Sequence, residues 1–473
     1  MTGLQTITVT PLSHAAPLPL VEQITGYLRT RIDERALRAG TRMPSIRRFA
    51  DENGVSRFTV VEAYDRLVAQ GYLESRRGSG FYVRERPQPV RRPEPEQPAG
   101  TRIDVFWLLR HLYAANDGRD VLLAGGGCLP ENWLDTEMLQ SGLRSLARRE
   151  PSTVAGYGTP QGYAPLRELL QVVLAELEIR AAPEDILLTA GASQALDLVA
   201  RYFLEPGDPV LVDDPGYYVL FGRLAAMGMR LIGVPRTADG LDVARLEALV
   251  KEHKPKLFMT NSVLHNPTGT SFSAATAFRV LRLAEAHDFH ILEDDVYADL
   301  HPGRAHRIAA LDQLHRVIYV GSFSKTLGAG LRVGFLAAHR DLVRDLTAQK
   351  LLASLTTPEL GERLTHQVLS DGYYRKHVDH VRARLARSLE PALRNLERAG
   401  LTVFHEPAAG MFLWARAGEQ DDAEALAAKA EAQGIILAPG SLFSPSQARS
   451  PWMRFHVAYA ASPRLAKFFE ALR

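Results

Sequence analysis

Lysine is scarce in this chain: 8 lysines stand against 48 arginines among 473 residues. Arginine can serve wherever a plain cation is enough, but it cannot replace an amine that must lose its proton to react, because guanidinium stays protonated. Cysteine is scarcer still. The single Cys128 excludes an intrachain disulfide framework and fits a reducing compartment. No run approaches the ~18 apolar residues of a membrane-spanning helix. Met1 to Leu20, with Pro11, Pro17 and Pro19, lacks a basic segment leading into an apolar signal, so a cytoplasmic location is expected. Net charge is also small. A value of +2 excludes a wholly basic nucleic-acid coat but leaves room for a small DNA-binding part. What is present is 46% apolar and 23% charged residues, a globular composition with capacity for two or three domains and a large core. No internal repeat is visible, and no metal site is expected.

Residues 1–84 read as a small helical unit followed by a hairpin. Leu18, Leu20, Ile24, Leu28 and Ile32 recur at helical spacing, and Gly40 is expected to stop that helix. Ser45 is placed to cap a second helix with Ile46, Phe49 and Ala50 on its apolar face; Gly54 breaks it. Ser56 caps a third, Arg57 to Gln70, whose inner face is Val60, Val61, Tyr64, Leu67 and Val68. Helix, glycine-containing turn, helix is the pattern in which the second member enters a major groove. Two short strands, Tyr72–Ser75 and Phe81–Val83, flank the basic tip Arg76-Arg77-Gly78-Ser79-Gly80 as a wing. Residues 1–86 hold 13 arginines against 9 acids. Composition alone would also suit a helical packing domain with a solvated arginine face; the order of elements decides for DNA. Residues 85–102 follow as a linker with five prolines, no aromatics and no periodicity, which cannot bury a core. At about 3.1 Å per residue, such a segment spans on the order of 50 Å.

Residues 103–473 read as an α/β domain, with a smaller α+β subdomain from about residue 350. Apolar runs Ile186–Thr189, Val210–Val212, Leu231–Val234, Leu257–Thr260, His290–Glu293 and Val317–Val320 alternate with helical stretches. A largely parallel sheet flanked by helices is expected. Met411–Trp414 reads as a final strand of the subdomain. Chemical groups fall at strand ends, where open α/β sheets place ligands. Lys325 follows Val317–Val320 in Gly321-Ser322-Phe323-Ser324-Lys325-Thr326. Gly191-Ala192-Ser193 follows another strand and opens a helix, a turn small enough for backbone N–H groups to approach a phosphate. Asn266-Pro267-Thr268-Gly269 and Glu293-Asp294-Asp295-Val296-Tyr297 end two more strands. Three adjacent acids repel one another and call for a nearby cation. An Asp and a Tyr three residues apart can face one ligand, the carboxylate toward a pyridine nitrogen and the phenol toward a ring oxygen, which is the electron-sink arrangement of pyridoxal phosphate.

Arg42 to Arg47, Gly54 to Val60, Ala63-Tyr64 and the tip Arg77 to Phe81 together resemble the winged helix-turn-helix of the GntR superfamily. Tyr157 to Gly162, Gly191 to Gln194, Asp214 to Tyr217, Asn266 to Gly269, Asp294 with Tyr297, Ser322 with Ser324 and Lys325, Gly330 to Gly334, and Arg454 stand in the order seen in fold type I aminotransferases. The whole chain resembles a MocR-type, GabR-like protein. The resemblance implies that Lys325 condenses with the aldehyde of pyridoxal 5'-phosphate and that Asp294 faces its ring nitrogen. Tyr297 and Asn266 would meet the ring oxygen and Tyr217 would stack on the ring. Gly191, Ala192, Ser193, Ser322, Ser324 and Arg332 would cup the phosphate, Tyr157 would reach it from the other subunit of a homodimer, and Arg454 would bind a carboxylate. Arg47, Ser56, Arg57 and Thr59, with Arg76, Arg77 and Ser79 of the wing, are the implied contacts to operator DNA.

Two functions follow as expectations. One is a transcriptional regulator that senses an amine or amino-acid effector, or the B6 vitamer itself. The other is a metabolic aminotransferase with an accessory DNA-binding module, since the complete Asn-Pro-Thr-Gly turn with Lys325, Asp294 and Arg454 keeps the first steps of transamination chemically open. A scaffold without cofactor is a third and poorer reading.

Overall fold

Between Thr101 and Arg102 the chain divides into two units. The computed structural model describes residues 18–85, 121–149, 156–418 and 422–472. The linker expected at 85–102 lies, apart from Glu85, outside the described residues.

Helices α1 (Leu20–Asp33), α2 (Ile46–Asn53) and α3 (Arg57–Ala69) form the first unit with strands β1 (Leu73–Arg76) and β2 (Gly80–Val83). The caps are those read from the sequence. Ser45 Oγ accepts the Arg48 N–H at 3.2 Å and Ser56 Oγ the Thr59 N–H at 3.0 Å. Gly54 leaves α2 in the left-handed region at φ 64°. Ile24, Leu28, Phe49, Val60, Tyr64 and Leu67 make the core, with Tyr64 edge-on to both Phe49 and Phe81. The strands pair antiparallel, with Leu73 opposite Val83. The first helix ends earlier than expected, at Asp33, where Arg35 turns left-handed at φ 60°. Gly40 serves the hairpin instead: its N–H donates to Val83 O, and Met43 N–H donates to Phe81 O. Leu18, expected on the helix face, precedes α1 and is exposed.

The second unit is built on an eight-stranded sheet. Its strands are β3 (Ile186–Thr189), β4 (Pro209–Asp214), β5 (Arg230–Thr237), β6 (Gly240–Leu241), β7 (Leu257–Thr260), β8 (His290–Asp294), β9 (Val317–Ser322) and β10 (Gly334–Ala337). They lie in the order β3-β10-β9-β8-β7-β4-β5-β6, with β10 and β6 antiparallel to their neighbours and the rest running one way. All six strands read from the sequence are present. Alternate residues go to opposite faces and both faces are covered: Leu211, Phe258, Ile291 and Val317 on one, Val210, Leu257, Leu292 and Ile318 on the other. Burial on both sides is why these strands read as unbroken apolar runs. Helix α4 (Ala192–Phe203) follows β3 directly, and α5 (Tyr218–Ala226) follows β4.

A second sheet, order β11-β12-β14-β13, contains β11 (Thr402–Val403), β12 (Phe412–Arg416), β13 (Ala438–Pro439) and β14 (Trp452–His456) and is antiparallel. The strand expected at Met411–Trp414 is therefore not the last: β13 and β14 follow it, and β14 pairs with it from Phe412↔His456 to Arg416↔Trp452. Ala124, from the start of the second unit, completes this sheet's core with Leu413, Met453 and Phe455.

Candidate cofactor site and nucleic-acid interface

Four parallel strands, β4, β7, β8 and β9, deliver polar groups at their carboxyl ends, and the acids that close β8 are each handled differently. Glu293 is buried, bonded to Ser262 Oγ and accepting the Ile308 and Ala309 N–H groups at 2.8 Å. Asp295 takes the cation that three neighbouring acids demanded: Arg307 Nε lies 2.5 Å from its Oδ2, and Tyr319 donates to the same oxygen at 2.9 Å. Asp294, between them, keeps Oδ1 buried with no hydrogen-bond partner among the described residues. Burial first, and then the Asp295 charge, push its pKa up to about 7.

Lys325 is half-buried, past the end of β9. Its Nζ donates to Gly127 O at 2.7 Å and lies 3.9 Å from Cys128 Sγ and 5.9 Å from the Tyr297 ring centre. Burial disfavours its ammonium, while the neighbouring Cys128, Tyr217 and Tyr218 favour it, and the net shift is upward. Tyr217, Tyr297 and Asp294 are close enough to act on one another electrostatically, and burial raises both phenols. The expected ring contacts Tyr217, Asn266, Asp294, Tyr297 and Lys325 thus converge with Arg454.

The opposite end of the site is a cradle of small groups around one guanidinium. Gly191, at φ 75°, precedes α4, which begins at Ala192 and Ser193. That positive φ favours glycine, and a Cβ at 191 would come within 2.5 Å of Arg332 Nη2 and displace the guanidinium. Arg332 Nη2 donates to Ala190 O at 2.9 Å. Ser322 and Ser324 hydroxyls bond to each other at 3.0 Å. Amides at the N-terminus of α4 favour an anion, and the arginine adds the charge a phosphate needs. Tyr157 is 83% exposed in the single chain.

Arg454 is 1% exposed on β14. Nη1 donates to Asn266 Oδ1 at 2.8 Å and Nη2 to Gly125 O at 2.7 Å, while Nε has no partner among the described residues. Phe412 and Phe443 lie 4.7 and 4.9 Å from its guanidinium carbon. Two residues on, on the same face of the strand, His456 keeps Nε2 unpaired, and burial followed by Arg454 lowers its pKa to about 3. Sequence reasoning missed the support beneath these groups. Asn261 accepts the Asn266 N–H at 2.8 Å and donates to Asp294 O at 2.8 Å, joining two site residues. Asp213, held by Thr260, the Asn261 N–H and Arg236, anchors Asn261 in turn. His265 lies 3.4 Å from Asp213, and burial and Arg236 lower its pKa to about 4, so it is neutral there. Only the placement of His265 next to Asn266 hinted at this network.

On the first unit, Arg47 and Arg57 are exposed, and Ser56 and Thr59 hydroxyls bond to each other at 2.8 Å. Among the described residues Arg47 pairs with Asp51, at 3.9 Å. Arg77 is exposed at the wing tip, whereas Arg76 bonds to Glu74 and lies 4.4 Å from the Tyr82 ring centre, and Ser79 bonds to Tyr82 Oη at 2.6 Å. Arg76 and Ser79 therefore shape the wing as much as they face outward.

Residues 123–472 match the model of the family described as aminotransferase class I and II, and residues 20–83 that of bacterial regulatory proteins, gntR family. The chain belongs to the aminotransferase class I and II family. With a gntR-family module in front, it is a MocR-type protein of the GntR superfamily. The HTH-type transcriptional regulator TauR of Rhodobacter capsulatus is 31% identical over 92% of this chain and 93% of its own length. The 2-aminoadipate transaminase of Thermus thermophilus is 34% identical over 68% of this chain and 81% of its own length. Among solved structures, the kynurenine aminotransferase of Pyrococcus horikoshii superposes with a TM-score of 0.71 at 28% identity, over 77% of this chain and 94% of that one.

Members of this family use pyridoxal phosphate, and the MocR-type site has the features that group requires. Asp294 offers a buried carboxylate oxygen without a donor, as a protonated ring nitrogen demands. Glycine at 191 leaves the Arg332 guanidinium its place beside the start of α4, and the amine of Lys325 lies near the Asp294 end of the site.

Proposed function

We propose that the protein is a DNA-binding transcriptional regulator whose aminotransferase-like half holds pyridoxal 5'-phosphate at Lys325 and reads an amine or amino-acid effector, or the vitamer itself. One observation carries the reading: Arg454 is fully buried beside the Lys325 cluster without a carboxylate partner among the described residues, on a chain that begins with a gntR-family module. A buried unpaired guanidinium is costly unless a ligand supplies the charge. Its Nε edge is left to a carboxylate, while Asn266 and Gly125 fix the plane of the fork.

Bound pyridoxal phosphate supplies an electron sink that weakens bonds at the effector's α-carbon. The chain's own residues do the rest. Asp294 holds a proton at the ring nitrogen, Tyr297 and the Asn266 amide orient the ring oxygen, and Tyr217 covers one ring face. Gly191, Ala192, Ser193, Ser322, Ser324 and Arg332 grip the phosphate, and Lys325 Nζ is the amine that gives and takes protons beside the effector. A homodimer completes the site by bringing Tyr157 of a second copy to the phosphate, and Arg47, Ser56, Arg57, Thr59, Arg76, Arg77 and Ser79 meet the operator. For regulation, the effector must bind two arrangements of the molecule unequally; a difference of about 1.4 kcal/mol shifts their balance tenfold.

Binding of the purified protein to DNA flanking its own gene, with and without a panel of amino acids and polyamines, tests this. A specific shift that one amine alters is expected; DNA binding that no amine or vitamer alters contradicts it. The intact Lys325, Asp294, Asn266 and Arg454 set supports a second reading, a working aminotransferase with an accessory DNA-binding module. Sustained turnover above about 1 per second with an amino donor and a keto acid would favour that reading.

A further inference from the structure

Phe58 is 77% exposed at the second residue of α3. Its helix neighbours explain why no protein partner covers it within the unit: Val60, Ala63, Tyr64 and Leu67 are buried on the other side. A single exposed apolar side chain is ordinary on a protein surface; what singles out Phe58 is its place beside Arg57 in the first turn of the helix that follows the turn. The solvent face of α3 is also divided by charge. Arg57, Phe58 and Thr59 form its first turn, whereas Glu62 and Asp65 occupy the later turns, Glu62 being tied to Arg66 at 2.7 Å. The first turn carries the positive charge of Arg57, whereas in the later turns Arg66 is matched by Glu62 and Asp65 adds a negative charge, so phosphates favour entry of the helix by its N-terminal end. There the Ser56 and Thr59 hydroxyls are bonded to each other at 2.8 Å, which suits them to phosphates and leaves Arg57 and Phe58 as the two longer outward side chains that reach toward base edges.

We propose that Phe58 is a specificity-determining residue that reads the 5-methyl group of a thymine in the major groove, next to the base or phosphate met by Arg57. The major-groove edge of thymine is the one that carries an apolar group. This inference rests on the DNA-binding reading above. Its test is selection from a random-sequence duplex pool with full-length wild-type protein and with Phe58→Ala, followed by affinity measurements on the selected duplex with each thymine replaced in turn by deoxyuridine. The replacement removes only the methyl group. The wild type is expected to select a fixed thymine in each half-site that Phe58→Ala no longer selects. At that position deoxyuridine weakens the wild type about fivefold and leaves Phe58→Ala unchanged. Phe58→Leu, which keeps an apolar side chain, retains the thymine. Because Phe58 is exposed, its removal leaves the fold intact, and unchanged thermal melting checks this. Equal deoxyuridine effects on both proteins, or identical selected sequences, overturn the role of Phe58 while leaving DNA binding standing. No enriched sequence for the wild type overturns the DNA-binding reading itself.

Discussion

At the scale of single residues, Asp294 is the most informative group. Its pKa of about 7 arises from burial and Asp295, against ~3.9 for a free aspartate. A carboxyl raised on folding contributes stability below about pH 4 and loses it as pH rises through about 7. Cofactor-free protein should therefore melt at progressively lower temperature between about pH 4 and 7. In Asp294→Asn that part of the slope disappears, and the variant should melt about 4 °C or more above the wild type at pH 8. The same substitution should weaken retention of pyridoxal phosphate, measured by dialysis and phosphate analysis. Parallel melting profiles for the two proteins would show that the carboxylate is not held unpaired. Lys325 and Asp294 were legible in sequence because their chemistry sits in short motifs at strand ends. The partners of Lys325 were not: Gly127 and Cys128 come to it from 198 and 197 positions away.

Among the elements, β8 shows how local sequence and tertiary support divide the work. The acid triplet announced a cation without naming it, and Arg307 fills that role from the following segment, itself 4% exposed against Asp295 at 1%. Removing one partner of a buried pair leaves a charge without compensation, so Arg307→Ala should cost about 3–5 kcal/mol in urea unfolding. A loss under about 1 kcal/mol would mean that Tyr319 alone satisfies Asp295. In the first unit, the caps of α2 and α3 were legible because capping is a local act of one hydroxyl and one N–H. Ser56→Ala should lower the stability of that unit by about 1 kcal/mol, seen as an earlier transition in its melting and not in that of the second unit. The ends of α1 and the role of Gly40 were not legible, since the glycine answers to the hairpin's backbone and not to the helix. Likewise β10 is a four-residue strand of Gly, Phe, Leu and Ala, a composition with weak strand preference that becomes a strand only because β3 and β9 flank it. The Asn261, Asp213 and Arg236 network lay hidden for a related reason: each member is a single polar residue at a different strand end, and only the parallel sheet brings them together.

For the whole molecule, one chain joins a gntR-family module to an aminotransferase fold. If the exposed Arg47, Arg57 and Arg77 meet phosphates, operator affinity should fall steeply with salt, and each replacement by alanine should flatten the logarithmic slope by about one unit. A slope that stays the same in all three variants would remove them from the interface. A homodimer that shares its site makes Tyr157→Phe weaken cofactor retention although the residue is exposed in a single chain; unchanged retention would deny the sharing. The expectations about cofactor retention and effector sensing presuppose that the amine of Lys325 carries the vitamin. The direct measurement is the absorbance spectrum of protein purified from B6-replete cells, followed by borohydride reduction and peptide mass mapping. A band at the edge of the visible, an adduct fixed on the peptide containing Lys325, and the loss of both in Lys325→Ala are the predicted results. A colourless protein that borohydride leaves unmodified would contradict the account.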